Sequence, residues 1–283
     1  MAVGVVTDST SDLPLDVARE LGITVIPAQV EFGSQVFLDG VDLSADDFYV
    51  RLQSSPVLPK TSPAPIAAFN SAYRRIAERA DSIISIHVAA RLSVTCDVAR
   101  QASAGLPCPV SVVDSQSASM ACGLLAIIAA RAAGAGGSLA EIDELVREAI
   151  PRTVTFGVFG TLEYLARGGR LGRGQAFLGT LLKINPILAI RNGEVVPVER
   201  VRTRARALER LCRMVTAMGK LREMSVMGTT RPEEAEELVR RLSPGFPPER
   251  VYRASIGPTM GTQVGPDAVG VALIAEEPVR LPA

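Results

Sequence analysis

Short β-branched runs alternate with helical segments along this sequence, and in its first half the runs end at turns rich in hydroxyls. A chain with that rhythm covers both faces of its strands with helices, so an α/β fold built on a parallel sheet is expected. Val3 to Thr7 is the first strand and Asp8-Ser9-Thr10 its polar turn; Pro14 then opens a helix over Leu15 to Leu21 that Gly22 closes. Ile23 to Phe32 reads as one strand, Gly33-Ser34 as a turn, and Gln35 to Leu38 as the return of a hairpin ending at Asp39-Gly40. Ser44 caps a helix through Leu52. Prolines at 56, 59, 63 and 65 keep the following segment extended, with Lys60-Thr61-Ser62 inside it, until a helix spans Ile66 to Arg79. The alternation continues with strand Ser82 to Val88, helix Ser93 to Ala104, strand Pro109 to Val113 and a long apolar helix over Ser117 to Ala133.

Gly134 to Gly137 is a short link, and Ser138 with Glu141 makes a capping box for a helix that runs to Ile150. A domain boundary is placed near Pro151, which divides the chain into residues 1–150 and 151–283. The second half has a different order. Strand Thr153 to Phe159 leads to a helix from Leu162, a glycine-arginine segment at 167–174 and a helix over Ala176 to Lys183. Asn192-Gly193, the pair favoured by a type I′ turn, joins Pro186–Arg191 to Glu194–Val201. Helix Arg204 to Met218, strand Glu223 to Met227, helix Pro232 to Leu242 and strands Val251 to Ile256 and Val269 to Ala275 complete the chain. The pattern predicts two domains: an N-terminal parallel sheet with helices on both faces, and a C-terminal mixed sheet with helices on one side.

Composition removes several classes of function. Thirty basic side chains balance thirty acidic ones, so no global field draws in nucleic acid or an anionic membrane. The single histidine, His87, and the absence of tryptophan leave no histidine pair for a metal triad and few platforms for base stacking. The four cysteines show no C-x-x-C spacing, and the start Met1-Ala-Val-Gly-Val-Val reads as a strand instead of a leader. The uncharged stretch Ala118 to Ala130 stops at Arg131, short of the roughly 20 residues a membrane span needs. A cytoplasmic protein with no stable membrane insertion is the expectation.

In a parallel sheet a ligand lies beyond the carboxyl ends of the strands. Four of those places carry hydroxyls: Thr7 to Ser11, Thr61-Ser62, Ser93 with Thr95, and Ser115, Ser117 and Ser119. Each serine alone is an ordinary helix cap; together they can hold a carboxylate or phosphate oxygen. A serine hydrolase is disfavoured, because His87 sits inside an apolar strand and no Gly-x-Ser-x-Gly elbow occurs. Asp8 and Asp114 follow strands and can bind Mg²⁺ or cap their turns. Gly168 to Gly174 lacks the spacing of a phosphate loop, but Arg167, Arg170 and Arg173 can meet an anionic head group or a solvated surface. Arg200, Arg202, Arg204 and Arg206 form another basic cluster. Ile256 to Pro266 packs three glycines and two prolines between strands and reads as a loop able to approach a ligand closely.

These segments carry a resemblance. Thr7-Asp-Ser-Thr-Ser-Asp-Leu-Pro14, Lys60-Thr-Ser-Pro63, Ser85-Ile-His with Leu92-Ser-Val-Thr95, and Asp114-Ser-x-Ser-Ala-Ser-Met120 occur in order. They are followed by Gly168-Gly-Arg-Leu171, Leu181-Leu-Lys-Ile-Asn-Pro-Ile-Leu188 and Ile256-Gly-Pro-x-Met-Gly-Thr-x-Val-Gly265. The set resembles the DegV family of bacterial fatty-acid-binding proteins over nearly the whole chain. The resemblance implies a non-catalytic carrier that needs no cofactor and holds a long-chain fatty acid in an apolar tunnel between two α/β domains. It further implies that the carboxylate is presented to a separate fatty acid kinase, which makes acyl phosphate for phospholipid metabolism. By position, Thr61 and Ser93 match the family's carboxylate-holding hydroxyls, with Ser62 beside them, and Arg170 and Arg202 match basic positions near the head group or the kinase-facing surface. Gln263 stands where the family usually has histidine, and Val94 and Ala89-Ala90 replace a glycine and a serine pair. The mouth is thereby less polar and loses a titratable group. A Mg²⁺-dependent enzyme acting on a small phosphorylated or hydroxylated metabolite is the alternative reading, and a scaffold for an acidic protein is a third.

Overall fold

The computed structural model describes residues 2–175 and 184–279. The first half contains β1 (Val3–Asp8), α1 (Leu15–Glu20), β2 (Ile23–Ile26), β3 (Gln29–Phe32), β4 (Gln35–Leu38), α2 (Ala45–Ser54) and β5 (Lys60–Ser62). It continues through α3 (Ile66–Ala77), β6 (Ser82–His87), α4 (Thr95–Ser103), β7 (Val110–Asp114), α5 (Met120–Gly134) and α6 (Leu139–Ala149). The second half contains β8 (Thr153–Val158), α7 (Glu163–Arg167), β9 (Asn185–Arg191), β10 (Glu194–Val201), α8 (Arg204–Thr216) and β11 (Leu221–Gly228). It ends with α9 (Pro232–Leu242), β12 (Val251–Ser255), α10 (Pro258–Val264) and β13 (Val269–Ala275). The helix expected over Ala176 to Lys183 lies outside the described residues.

The first sheet has the order β2-β1-β6-β7 and every pair in it is parallel. Strand alternation sends Val5, Ile84 and Ile86 toward α5 and α6, while Val6 and Ile83 pack with Phe69, Tyr73 and Ala99 of α3 and α4 on the other face. Helices therefore cover both faces, as expected. One expected element is corrected: Ile23 to Phe32 is two strands in two sheets. Pro27 has no N–H to donate to a ladder. The chain accordingly leaves the parallel sheet after Ile26 and enters a small antiparallel sheet, β4-β3-β5, which packs with Phe48, Tyr49 and Leu52 of α2.

The six-stranded mixed sheet has the order β10-β9-β8-β13-β11-β12, antiparallel except between β11 and β12. At the β9–β10 turn Asn192 and Gly193 both have positive φ, 51° and 77°, as a type I′ turn requires. Val154, Phe156, Val158, Val271 and Leu273 pack under α8 and α9. The opposite face is also covered: Ala272, Ile274 and Met227 join the core around α5. The expectation of helices on one side is thus corrected, because a helix from the first half supplies the second cover. Helix α5 is apolar all round, as a helix enclosed between two layers must be, and its Ala, Gly and Cys residues let both sheets come close.

The segment expected as a loop from Ile256 to Pro266 contains helix α10. Pro258 occupies its first turn, where a missing N–H costs nothing, and Gly265 at φ 72° ends it. The small residues belong to packing: a Cβ at Gly261 would lie 2.6 Å from Phe48 and 2.7 Å from the Tyr49 hydroxyl.

Candidate ligand-binding site

The turns after β1, β6 and β7 open together beyond one edge of the parallel sheet, as the carboxyl ends of parallel strands do. Opposite them stands the inner face of β8, β9 and β13, and α10 closes a further side. The cavity has a volume of about 430 Å³, within the ordinary range for small-molecule sites. Its wall is mostly apolar, with Phe159, Leu188, Ile190, Met227, Ile256 and Met260 contributing.

Thr61, Ser62, Ser93, Gln263 and Arg170 all line this cavity, although they come from β5, the turn before α4, α10 and the segment after α7. Gln263 Nε2 donates to Thr61 Oγ1 at 3.1 Å, joining α10 to β5 across 202 residues of sequence. The Gln263 Oε1 atom is buried beside Gly168 and has no hydrogen-bond partner among the described residues. Ser93 Oγ lies 2.8 Å from Thr95 Oγ1 and accepts from the Thr95 N–H at 3.3 Å. The Ser62 hydroxyl turns to Gln29 and Glu31, at 3.3 Å from each carbonyl or carboxylate oxygen. Arg170 spends its guanidinium on main-chain carbonyls, Nη1 on Gly168 at 2.6 Å and Nε on Leu92 at 3.3 Å, which ties the turn before Ser93 to the second half. Arg202 is not part of the lining; it follows β10, and its carbonyl accepts from Asn185 Nδ2 at 3.4 Å.

Thr10, Ser119, Thr155 and Thr259 add hydroxyl-bearing positions to the wall. Thr10 and Ser119 belong to the hydroxyl-rich turns noted in the sequence, but Thr155 and Thr259 were not singled out. The signal for Thr155 is one polar residue within the apolar run Val154-Thr-Phe156; Thr259 was hidden by reading its helix as a loop.

Behind the cavity lies a buried polar chain. Tyr73 donates to Ser85 Oγ at 2.8 Å, Ser85 Oγ lies 2.6 Å from His87 Nε2, and His87 Nδ1 lies 2.8 Å from Asp8 Oδ2. His87 and Ser85 are fully buried and neither lines the cavity, so this Ser-His-Asp order has no access to a substrate. Burial acts to raise the Asp8 carboxyl, but the His87 hydrogen bond and charge and two donors from Thr10 outweigh it and hold the group below its ordinary value. Asp114 accepts from the N–H groups of Ala90 and Gln116, at 3.2 and 2.8 Å. The two aspartates weighed as Mg²⁺ ligands thus serve separate hydrogen-bond sets. Among the described residues no three His, Cys, Asp or Glu side chains converge as a metal centre. Burial pushes the Cys96 thiol up to about 12, far from the range of a thiolate nucleophile.

Two further carboxyls hold α10 in place. Asp12 Oδ1 accepts from Gly257 N at 2.8 Å and its other oxygen from Ser119 Oγ, while Asp39 Oδ2 accepts from Thr259 N at 3.2 Å. Burial, opposed by those donors and supported by neighbouring carboxylates, raises both groups, Asp12 well above its ordinary value. The helix carrying Gln263 is therefore seated by residues from the opposite end of the chain. No helix among the described residues is long and apolar enough to cross a membrane.

Comparisons with known proteins agree with this fold. The family model described as "Uncharacterised protein, DegV family" matches residues 2–276. A DegV domain-containing protein of Streptomyces coelicolor is 35% identical over 275 residues, covering 96% of this chain and 98% of the relative. Protein DegV of Bacillus subtilis is 33% identical over 278 residues, with coverage of 96% and 98%. Among solved structures, a fatty-acid-binding DegV family protein of Thermus thermophilus superposes with a TM-score of 0.91 at 29% identity, over 97% of this chain and 100% of that one. The structure of DegV of Bacillus subtilis, described as a fatty acid binding protein, gives 0.89 at 31% identity, over 98% and 100%. With the family pattern matched from the first strand to the last, this chain belongs to the DegV family.

Proposed function

We propose that the protein binds a long-chain fatty acid, with the hydrocarbon chain in the apolar cavity and the carboxylate held by Thr61, Ser93 and Gln263. The observation that carries this reading is the Gln263–Thr61 hydrogen bond set into an otherwise mostly apolar wall. By accepting from Gln263, the Thr61 hydroxyl keeps its own proton to donate to a carboxylate oxygen. Each buried methylene contributes about 0.8 kcal/mol, so a long acyl chain supplies most of the affinity and no ion pair is needed. Hydroxyl and amide donors fix the acid end without the desolvation cost of a buried cation. Arg170, engaged with two carbonyls, shapes the rim; Arg202, outside the lining, has no part in holding the head group in this reading. Fatty-acid binding by the two solved relatives supports the same assignment.

The finer reading is that the protein is a non-catalytic, cytoplasmic carrier that offers the bound carboxylate to a fatty acid kinase for acyl phosphate formation and so feeds phospholipid synthesis. Native mass spectrometry after mild purification, with uptake of C14 to C18 acids, tests the binding. The expected result is a one-to-one adduct that Thr61→Val weakens by about ten-fold or more, the worth of one hydrogen bond to a charged group. Recovery of apo protein that takes up none of these acids overturns the reading. ATP-dependent acyl phosphate production by a fatty acid kinase, absent without this protein, tests the partnership.

A further inference from the structure

We propose that Asp8 is the positioning residue of the head-group site: a buried carboxylate that does not meet the ligand but sets where Ser93 stands. The proposal rests on the reading of the cavity as a fatty-acid site. Asp8 is 1% exposed and is not part of the lining, yet two of the residues that donate to it, Thr10 and Val88, line the cavity. Oδ1 accepts the N–H and the hydroxyl of Thr10, a wall residue at the end of β1. Oδ2 accepts from His87 Nδ1 at 2.8 Å and from the Val88 N–H at 3.4 Å, at the end of β6. One side chain thereby fixes the exits of two neighbouring strands.

From Val88 the placement passes along the main chain. Ala89 N donates to the Ser117 carbonyl at 2.8 Å, and the Ala89 carbonyl accepts from Leu92 N at 2.8 Å and from Ser93 N at 3.1 Å. Ser93 is therefore hung from a turn whose first N–H groups are held by Asp8 and by Ser117. On the far side, His87 is joined through Ser85 to Tyr73. Asparagine has the shape of aspartate but puts an NH₂ in place of one oxygen. Whichever way it sits, that NH₂ faces a main-chain N–H that it cannot satisfy, either that of Val88 or that of Thr10. The arm that is lost releases either the turn leading to Ser93 or the neighbouring wall.

The experiment compares the affinity of wild type, Asp8→Asn and Ser85→Ala for a saturated C16 acid and for the alcohol of the same length. Hydrogen bonds to a carboxylate are about twice as strong as those to a neutral oxygen, so misplacing Ser93 falls on the acid. Asp8→Asn is expected to weaken the acid by about five-fold and to leave the alcohol roughly unchanged. Ser85→Ala, which cuts the chain on the far side of His87, is expected to lower Tm while keeping the acid-to-alcohol ratio of wild type. Equal losses for acid and alcohol in Asp8→Asn, or the same ratio change in Ser85→Ala, overturn the proposal. Failure of wild type to bind the acid refutes the cavity reading itself, which is a separate outcome. If Asp8→Asn does not fold, the acid-bound crystal structure of wild type decides: Asp8 Oδ2 within hydrogen-bond distance of Val88 N supports the proposal, and its absence there overturns it.

Discussion

Ser119 holds a backbone conformation that residues with a side chain avoid, φ 56° with ψ −151°, at the position preceding α5. Such a conformation costs on the order of 1–3 kcal/mol and persists only where the surroundings impose it. Here the Ser119 N–H donates to the Thr10 carbonyl at 2.9 Å and its hydroxyl to Asp12, while the residue lines the cavity. Ser119→Ala keeps the strain and leaves the buried Asp12 short of a donor; Ser119→Gly loses the same donor but relieves the strain. Denaturant unfolding should therefore place the Ala variant about 1–3 kcal/mol below wild type and the Gly variant above the Ala one. An alanine variant as stable as the glycine one contradicts this account. The hydroxyls of this region were legible in the sequence because they cluster after apolar runs. The strain was not, since it arises from a hydrogen bond between Thr10 and a residue more than a hundred positions away. The approach of Gln263 to Thr61 was hidden for the same reason: local pattern says nothing about which distant segments meet.

Among elements, the β9–β10 hairpin was the clearest in the sequence, because Asn-Gly specifies its turn with no help from the rest of the fold. Its role was not visible there. The tip reaches across to the first half: Gly193 N donates to the Gln116 carbonyl at 2.8 Å, and Arg91 pairs with Glu194. The Arg91–Glu194 pair binds the turn carrying Ser93 to the mixed sheet, and the Arg170 bond to Leu92 ties the same turn to the segment after α7. The Arg91 and Glu194 side chains are 64% and 37% exposed, so their pair is screened by salt and contributes at most about 1 kcal/mol. That is still up to about five-fold in a rate. Glu194→Gln should speed release of a bound fluorescent fatty acid by about two- to five-fold, and salt should speed release from wild type more than from the variant. Stopped-flow displacement reads both; equal salt slopes contradict the latch. Two elements were misread for identifiable reasons. Helix α10 was obscured by its glycines and prolines, which serve packing against Phe48 and the first turn of the helix. The apolar run Ile23 to Phe32 gave no sign that Pro27 moves the chain between sheets.

At the scale of the whole molecule, α5 and α10 make one body of the two sheets, and the buried carboxyls around them give its stability a predictable pH dependence. The rhythm of the sequence reveals a parallel sheet followed by a mixed one, but not that α5 is core to both, since an evenly apolar helix has no face that names its neighbours. Asp12 and Asp39, at the seat of α10, have folded pKa values raised above the ordinary 3.8. The folded state then binds their protons more tightly than the unfolded state does. Their contribution is full below pH 3.8 and is lost as pH rises through the folded values. Asp8 has the opposite sign: its lowered pKa contributes above 3.8 and is lost as pH falls through the folded value. The groups facing Asp12 are the Ser119 hydroxyl, the Gly257 N–H, Asp39, Asp8 and the Tyr49 phenol, whose own pKa is raised by burial and by the Asp12 and Asp39 charges. None of these is a cation, and the two donors offset only part of the cost of ionising Asp12. Asp12→Asn keeps an acceptor for the Gly257 N–H and removes the charge. Its Tm, followed by calorimetry as pH is raised from 3.8, should fall less steeply than that of wild type, whereas Asp8→Asn should not flatten this limb. A wild-type Tm that follows the same slope as the Asp12→Asn protein contradicts this account of the pH dependence.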